Sequence, residues 1–469
     1  ASFVRVAKPD DLDEFIYDAE LSTHLKAAYI AIQTGYEVAP ECFCIVEYED
    51  LVADPKAQLA RIHEFLDLPD FEYDFTAIDG TSVQEDDEEL HGYEGMHDIQ
   101  PVLAKQHNED PKDVLKHHYT TFCQPEFWLD KPRTTPELHD LDLQLTASKM
   151  GNFTEGWRLS RKLEQDEPNN HRAAYNRGWY LLRQGEIQKG YQLMDRGRIE
   201  GVFGNTIPDA PTGPWDGKTK GTVLLYLEGG LGDQIHQVRY AKAIAAKGCT
   251  VVVGCSGSLA SLFVDVEGVS SVAQHEACFG TYHDFYVQGM SAVVPLGFEL
   301  EDLSGTPYIT KPKTIKGYRK RIGLRWQGQS AFEHEHHKKF PYELMFEAVK
   351  DIDAEFISLQ RDEGAEACPE WVEQVPLNTW EDTRQAAASC DLVISSCTSV
   401  SHLAAAMGVE TWVVTPVMPY FLYAQEGDTC PYYDTMKLMR QESFGDWEAP
   451  FARIKKSLNE KKQALRRVK

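Results

Sequence analysis

The spacing of apolar residues changes three times along this chain. In the first stretch it is sparse. Leu59, Ile62, Phe65 and Leu66 recur at i, i+3 and i+4, which predicts a helix opening at Asp54-Pro55. Just before it, Cys44-Ile-Val-Glu-Tyr48 is a short run rich in strand formers and predicts one strand. Gln84-Glu-Asp-Asp-Glu-Glu89 carries only polar and charged side chains and reads as a solvated loop. Lys131-Pro-Arg-Thr-Thr-Pro136 has two prolines and reads as a linker.

Beyond the linker the spacing becomes helical and repeats. Gly151, Phe153, Gly156, Trp157 and Leu159 return 34 residues later as Gly185, Ile187, Gly190, Tyr191 and Leu193. This resembles tetratricopeptide repeats, in which small residues let paired helices cross closely and large ones fill the layer between. Two units are too few for a free solenoid, so the module must lean on its neighbours. It serves as a spacer or offers a surface for a protein partner or acceptor.

From Gly221 onward short apolar runs alternate with helical stretches. Thr222–Leu227, Val251–Val253, Arg321–Trp326, Glu355–Gln360, Asp391–Ser395 and Glu410–Thr415 read as strands. Gln234 to Lys247, a stretch from about Tyr342, and Ser399 to Met407 read as helices, with a closing helix from Trp447 to about Leu465. A βαβ order implies parallel sheets with right-handed crossovers. The order restarts after Lys311–Lys320, so two doubly wound α/β units are expected, with a cleft where ligands meet the carboxyl ends of the strands. The expected domains are 1–135, 136–215, 216–315 and 316–469.

Charge narrows the partners. The 469 residues carry a net charge of −27, and residues 1–130 alone hold 30 acidic and 8 basic side chains. Such a surface repels phosphate backbones and anionic lipid, so nucleic acid is not an expected partner. No apolar run approaches the roughly 20 residues needed to span a bilayer, and Ala1-Ser-Phe-Val-Arg5 lacks the pattern of a signal peptide. The ten cysteines are scattered without a Cys-x-x-Cys pair, which fits reduced thiols and a cytoplasmic setting.

Two further resemblances carry function. Glu47-Tyr-Glu-Asp-Leu-Val-Ala-Asp-Pro55, Ile62-His-Glu-Phe-Leu-Asp-Leu-Pro69, Gly95–Ile99 and Glu126-Phe-Trp128 resemble the C-terminal part of a sulfotransferase over roughly residues 30–130. No Gly-, Ser- and Thr-rich phosphate loop precedes residue 47, so no sulfate-donor binding is expected from this segment. Tyr226-Leu-Glu-Gly-Gly-Leu-Gly-Asp-Gln-Ile-His-Gln-Val-Arg-Tyr-Ala241, Gly323–Gly328, Phe356–Gln360, Asp382-Thr383, Asp391–Gly408 and Met439–Trp447 resemble the heptosyltransferase-like glycosyltransferases, nearest to bacterial relatives fused to tetratricopeptide repeats. That resemblance implies two Rossmann-like lobes of the GT-B type and transfer of a sugar from a nucleotide-diphosphate donor to a glycan or protein acceptor hydroxyl, inverting and without a metal or other cofactor.

The resemblance also assigns roles. Asp233 is the expected general base, with a helix cap as the alternative reading. Gly230 and Gly232 belong to a loop whose backbone can approach a ligand. Thr398 and Ser399 open a helix whose free amides suit a diphosphate, and Lys338 would offset its charge, with Lys339 as the neighbouring candidate. Arg325 and Gln360 complete the expected donor contacts. His402 is a donor contact or a core histidine. Cys397 stands where heptosyltransferases usually carry Asp, which would favour a scaffold that has lost catalysis. His334, His336 and His337 lack a matching carboxylate or Cys set for a metal.

Overall fold

The computed structural model describes residues 42–69, 140–205, 210–314, 317–328, 338–361 and 363–467, with Ile32, Tyr36, Phe71 and Tyr73 besides. The chain forms two compact units, residues 1–134 and 135–469.

In the first unit, helix α1 (Tyr48–Ala53) is followed at once by α2 (Pro55–Phe65). Proline is pre-organised for the first helical position, and the Asp54 carboxylate accepts from the Ala57 amide at 3.1 Å. The expected apolar stripe on α2 is not a core stripe: Phe65 and Leu66 are exposed. The strand expected at Cys44–Tyr48 is absent. Residues 43–47 pair with no described strand, and the Glu47 carbonyl instead accepts from Leu51 to start α1. Only Tyr48 of the run is helical; before it the Ile45 carbonyl accepts from Arg61 at 3.2 Å in place of a neighbouring strand.

The second unit opens with two helical hairpins: α3 (Asp140–Lys149) with α4 (Phe153–Asp166), and α5 (His171–Arg183) with α6 (Ile187–Met194). The 34-residue sequence period has a backbone counterpart. Gly151 and Gly185 follow α3 and α5 with φ of +82° and +84°. The crossing of α5 and α6 is close: a Cβ on Gly178 would lie 2.7 Å from the Gly190 carbonyl oxygen.

Two largely parallel sheets follow. The first has the order β1-β5-β2-β3-β4: β1 (Gly213–Pro214), β2 (Thr222–Tyr226), β3 (Thr250–Cys255), β4 (Ser271–Gln274) and β5 (Phe285–Gln288). Helices α7 (Leu231–Gln237) and α8 (Tyr240–Ala246) link β2 to β3. They replace the single helix expected from Gln234 to Lys247. Arg239 turns its Nε to the His236 carbonyl at 2.9 Å, and Ala241 bonds back only to Val238, so the helical ladder breaks there.

The second sheet has the order β11-β12-β10-β9-β6-β7-β8. Its strands are β6 (Arg321–Arg325), β7 (Glu355–Ser358), β8 (Glu373–Gln374), β9 (Leu392–Ser396), β10 (Glu410–Thr415), β11 (Thr429–Cys430) and β12 (Tyr433–Arg440). Its helices are α9 (Tyr342–Val349), α10 (Trp380–Ser389), α11 (Ser399–Ala406) and α12 (Glu448–Arg467). Only the β11–β12 pair is antiparallel.

Each sheet reverses its direction of winding once. From β2 the chain runs outward to β3 and β4, then returns to β5 on the other side; from β6 it runs to β7 and β8, then returns to β9. Such reversals leave a crevice beyond the carboxyl ends of the strands. One apolar core links the helical module to both sheets and includes Trp179, Tyr191, Leu225, Val393 and Leu403. A second core, with Trp326, Met345, Trp412 and Phe451, fills the other face of the second sheet.

Candidate active site

The turns that emerge from the two reversal points face each other. After β2 the chain must pass from an extended strand into α7 within a few residues. Gly229 makes that turn at φ +71°, a conformation L side chains disfavour, and a Cβ there would meet Met290 at 2.6 Å and an Asp233 oxygen at 2.8 Å. Gly230 caps α7, and its amide donates to Asp233 Oδ2 at 2.8 Å. The other oxygen, Oδ1, accepts from the Tyr420 hydroxyl at 2.5 Å.

Asp233 therefore does the work of a cap while standing at the mouth of the turn. The residue keeps partial solvent access, and Gly229 and Gly230 beside it are exposed. Protein packed around the carboxyl nevertheless pushes its pKa above the ordinary aspartate value, opposed by the Tyr420 and Gly230 hydrogen bonds and by the Lys338 charge. A carboxylate held in this state suits proton acceptance better than a freely solvated one.

The turn is anchored from behind. Glu228, fully buried, receives both terminal nitrogens of Arg198, at 2.5 and 2.9 Å, and the Asn205 amide at 2.9 Å. Gln288 and the Met290 amide donate to it at 3.0 and 3.2 Å. Gln234 ties the same turn to β3 through Ser256, at 2.9 and 2.8 Å. Sequence reasoning did not single out Arg198 or Tyr420. They lie 30 and 187 residues from their carboxylate partners, and no local pattern marks either.

The facing turn follows β9. Cys397, Thr398 and Ser399 are partly accessible and open α11, with Thr398 as its cap residue. Lys338, from the loop after β6, donates to the Cys397 carbonyl at 3.1 Å, so its ammonium lies at this helix start. The two turns almost touch: a Cβ on Gly232 would stand 3.1 Å from Ser399 Cα and 3.1 Å from His402 Cδ2. The geometry thus brings together Gly230, Gly232, Asp233, Lys338, Thr398 and Ser399.

Two other expected contacts, Gln360 and His402, are buried, and Arg325 stays partly accessible. Gln360 is buried and spends its amide on backbone: Oε1 accepts from Trp326 and Gln327, and Nε2 donates to Gln327 and Glu363 carbonyls at 3.1 and 2.7 Å. Arg325 donates to the Leu359 carbonyl at 3.0 Å. His402 is buried between Tyr433, 2.9 Å from Nδ1, and Tyr423, 3.3 Å from Nε2. Burial, with the charges of Arg239 and Lys338, pushes its pKa down to about 3, so the ring is neutral. It fits the core-histidine reading.

His334, His336 and His337 lie outside the described residues. Among the described residues no group of three His, Cys, Asp or Glu side chains is placed to hold a metal ion, no helix is long and apolar enough to cross a membrane, and every cysteine is free.

Residues 2–73 match the sulfotransferase family. The match begins earlier than the expected 30–130 and stops before Gly95–Ile99 and Glu126–Trp128, which also lie outside the described residues. No curated protein matches the sequence. Among solved structures, the chain is similar to the glycosyl transferase family 9 protein of Veillonella parvula, at 10% identity over 49% of this chain and 88% of that one, with a TM-score of 0.39. It is similar to the dodecameric, iron-containing glycosyltransferase TibC of enterotoxigenic E. coli, at 12% identity over 52% and 77%, with a TM-score of 0.37. It is also similar to the ADP-heptose lps heptosyltransferase II of E. coli, at 11% identity over 52% and 99%, with a TM-score of 0.37. These likenesses are distant, and what the chain does has to come from the geometry of the two turns.

Proposed function

We propose that this protein is a glycosyltransferase of the GT-B type that moves a sugar from a nucleotide-diphosphate donor to an acceptor hydroxyl, by inversion and without a metal. One observation carries the reading: turns from the reversal points of two parallel sheets meet at Gly232 and Ser399, with a carboxylate on one side and a lysine with two hydroxyls on the other. Asp233 accepts the proton of the acceptor hydroxyl as its oxygen bonds to the anomeric carbon. The bond from that carbon to the diphosphate breaks on the opposite face. The departing charge is met by the start of α11, Thr398, Ser399 and Lys338.

A second reading has its own support. Cys397 occupies the place of an expected Asp, and both Asp233 oxygens are already engaged. Both favour a scaffold that keeps the fold and has lost transfer. One experiment separates the two. Nucleoside diphosphate release is measured with UDP-, GDP- and ADP-linked hexoses, and melting is followed with the free diphosphates. Ligand at 100 times its dissociation constant should stabilise the fold by about 2.7 kcal/mol. Release with a melting shift supports the enzyme, a shift alone supports the scaffold, and neither at millimolar ligand overturns the donor site.

A further inference from the structure

The loop between β10 and β11 brings Tyr420 onto the proposed base, and the helical module holds that loop at both ends. Trp179 of α5 donates its indole N–H to the Pro419 carbonyl at 3.1 Å. Arg183, one turn later, donates to the Ala424 carbonyl at 3.1 Å. Between these anchors Phe421 packs edge-on against Tyr191 of α6 and against Phe203, with ring centroids 5.9 and 5.7 Å apart. The Tyr420 ring lies against Phe421, at 4.3 Å.

The position of Tyr420 matters because of what surrounds Asp233. Behind the carboxylate, a cavity lined by Asp233, His236, Tyr191 and Tyr240 measures about 10 Å³, enough for a single water and too small for a sugar hydroxyl with its ring. The Lys338 charge acts on the same carboxylate from the facing turn. The acceptor hydroxyl needs an Asp233 oxygen as hydrogen-bond acceptor. Oδ2 is held by the Gly230 amide, a backbone group fixed in place at the cap of α7. Oδ1 belongs to Tyr420, whose contact breaks by rotating one side chain.

We propose that Tyr420 is a latch on the carboxylate: its hydroxyl holds the acceptor's place on Asp233 Oδ1, and the helical module, gripping Pro419 and Ala424, sets how firmly it is held. The inference rests on the reading of Asp233 as the base. With the latch closed, Oδ1 is held by the phenol and less able to take a proton from water, so donor is not wasted by hydrolysis. An acceptor that binds well enough to displace the phenol opens it. The repeat helices thereby gain a role in positioning the site.

The test uses the full chain and water as acceptor. Water attacks the anomeric carbon, its proton passes to Asp233, and nucleoside diphosphate leaves. The probes are the same UDP-, GDP- and ADP-linked hexoses. Tyr420→Phe should raise diphosphate release about tenfold, the cost of one charge-assisted hydrogen bond. It should also move the acid limb of the pH–rate profile upward by about one unit, because a donor that favours the carboxylate is lost. Trp179→Phe keeps the ring and removes the grip on Pro419, so it should move both quantities the same way by less. Adding Asp233→Asn should abolish release in either background. If the wild type turns over and Tyr420→Phe leaves rate and profile unmoved, or lowers rate and melting temperature together, the latch is refuted and the transfer reading stands. If neither protein releases diphosphate from any donor, the transfer reading falls and the latch with it.

Discussion

Glu228 and Asp233 bound the same short turn, and their surroundings differ. Glu228 is completely enclosed, with a bidentate guanidinium and three further donors on its two oxygens. Asp233 accepts from the Gly230 amide and the Tyr420 hydroxyl, feels the Lys338 charge and keeps partial access to solvent. A carboxylate whose lone pairs are filled from its own fold has nothing left for a ligand. One that is held by a backbone amide and a rotatable phenol can exchange a partner. The first fixes where the turn sits, and the second is free to do chemistry.

The strongest challenge to that contrast is Arg198→Ala. It strands a buried charge and should lower stability by about 3–5 kcal/mol, read from denaturation. Arg198→Lys should recover only part, because a single ammonium cannot reproduce the bidentate pair. A loss below 1 kcal/mol would mean that Glu228 is as replaceable as a surface residue.

Asp233→Asn should behave in the opposite way. The amide oxygen can still accept from Gly230 while its NH2 donates to the Tyr420 oxygen, so the melting temperature should hold or rise, since a partly desolvated charge is removed. Transfer should fall roughly 10²–10⁴-fold. A mutant that loses several degrees while retaining half its turnover would put Asp233 in the same class as Glu228.

Lys338→Ala carries the comparison to the facing turn. It should shrink the melting shift produced by a nucleoside diphosphate by about 1.5–3 kcal/mol of binding, and Thr398→Val should shrink it less. An unchanged shift would move the phosphates away from α11.

The smallest effect concerns His402, a buried group with no assigned chemistry. Its folded pKa is depressed to about 3, so the folded state resists the proton that the unfolded chain takes up near pH 6.5. Its stabilising contribution is complete above about pH 6.5 and drains as pH falls towards 3. The loss is about 1.4 kcal/mol at pH 5.5. His236, also pushed well below its usual value by burial, adds to the same slope. His402→Asn should flatten the fall in melting temperature between pH 6.5 and 4, and an unaltered slope would mean that the ring is protonated in the fold.

Much of the α/β part was legible because buried parallel strands are uninterrupted apolar runs. Glu410–Thr415 was expected as a strand and is one. Strand β12, Tyr433–Arg440, was not singled out: its buried residues Tyr433, Met436, Leu438 and Met439 are spaced three, two and one apart, and that breaks the period-2 signal. Cys44–Tyr48 shows the opposite error, a run with strand composition and no ladder. In the site, short-range relations could be read: the glycines, Asp233 at the helix start, and Thr398-Ser399 at the other. Residue identity could not show that the Gln360 amide and the His402 ring are spent on internal partners. Nor could it show Tyr420, whose hydroxyl meets a carboxylate 187 residues away.

The grip of the helical module on the second sheet also bears on how the protein is made. The Trp179 indole and its carbonyl partner are 240 residues apart, and the Tyr191 and Tyr432 hydroxyls 241. A ribosome adding ~5–20 residues per second leaves the module's apolar face uncovered for roughly 12–48 s before its partner strands emerge. During that interval Trp179, Tyr191 and Phe203 form an unpaired aromatic surface on a nascent chain. The repeats are complete early but buried late, so in the cell a chaperone that shields aromatic surface would be most needed at this stage of synthesis.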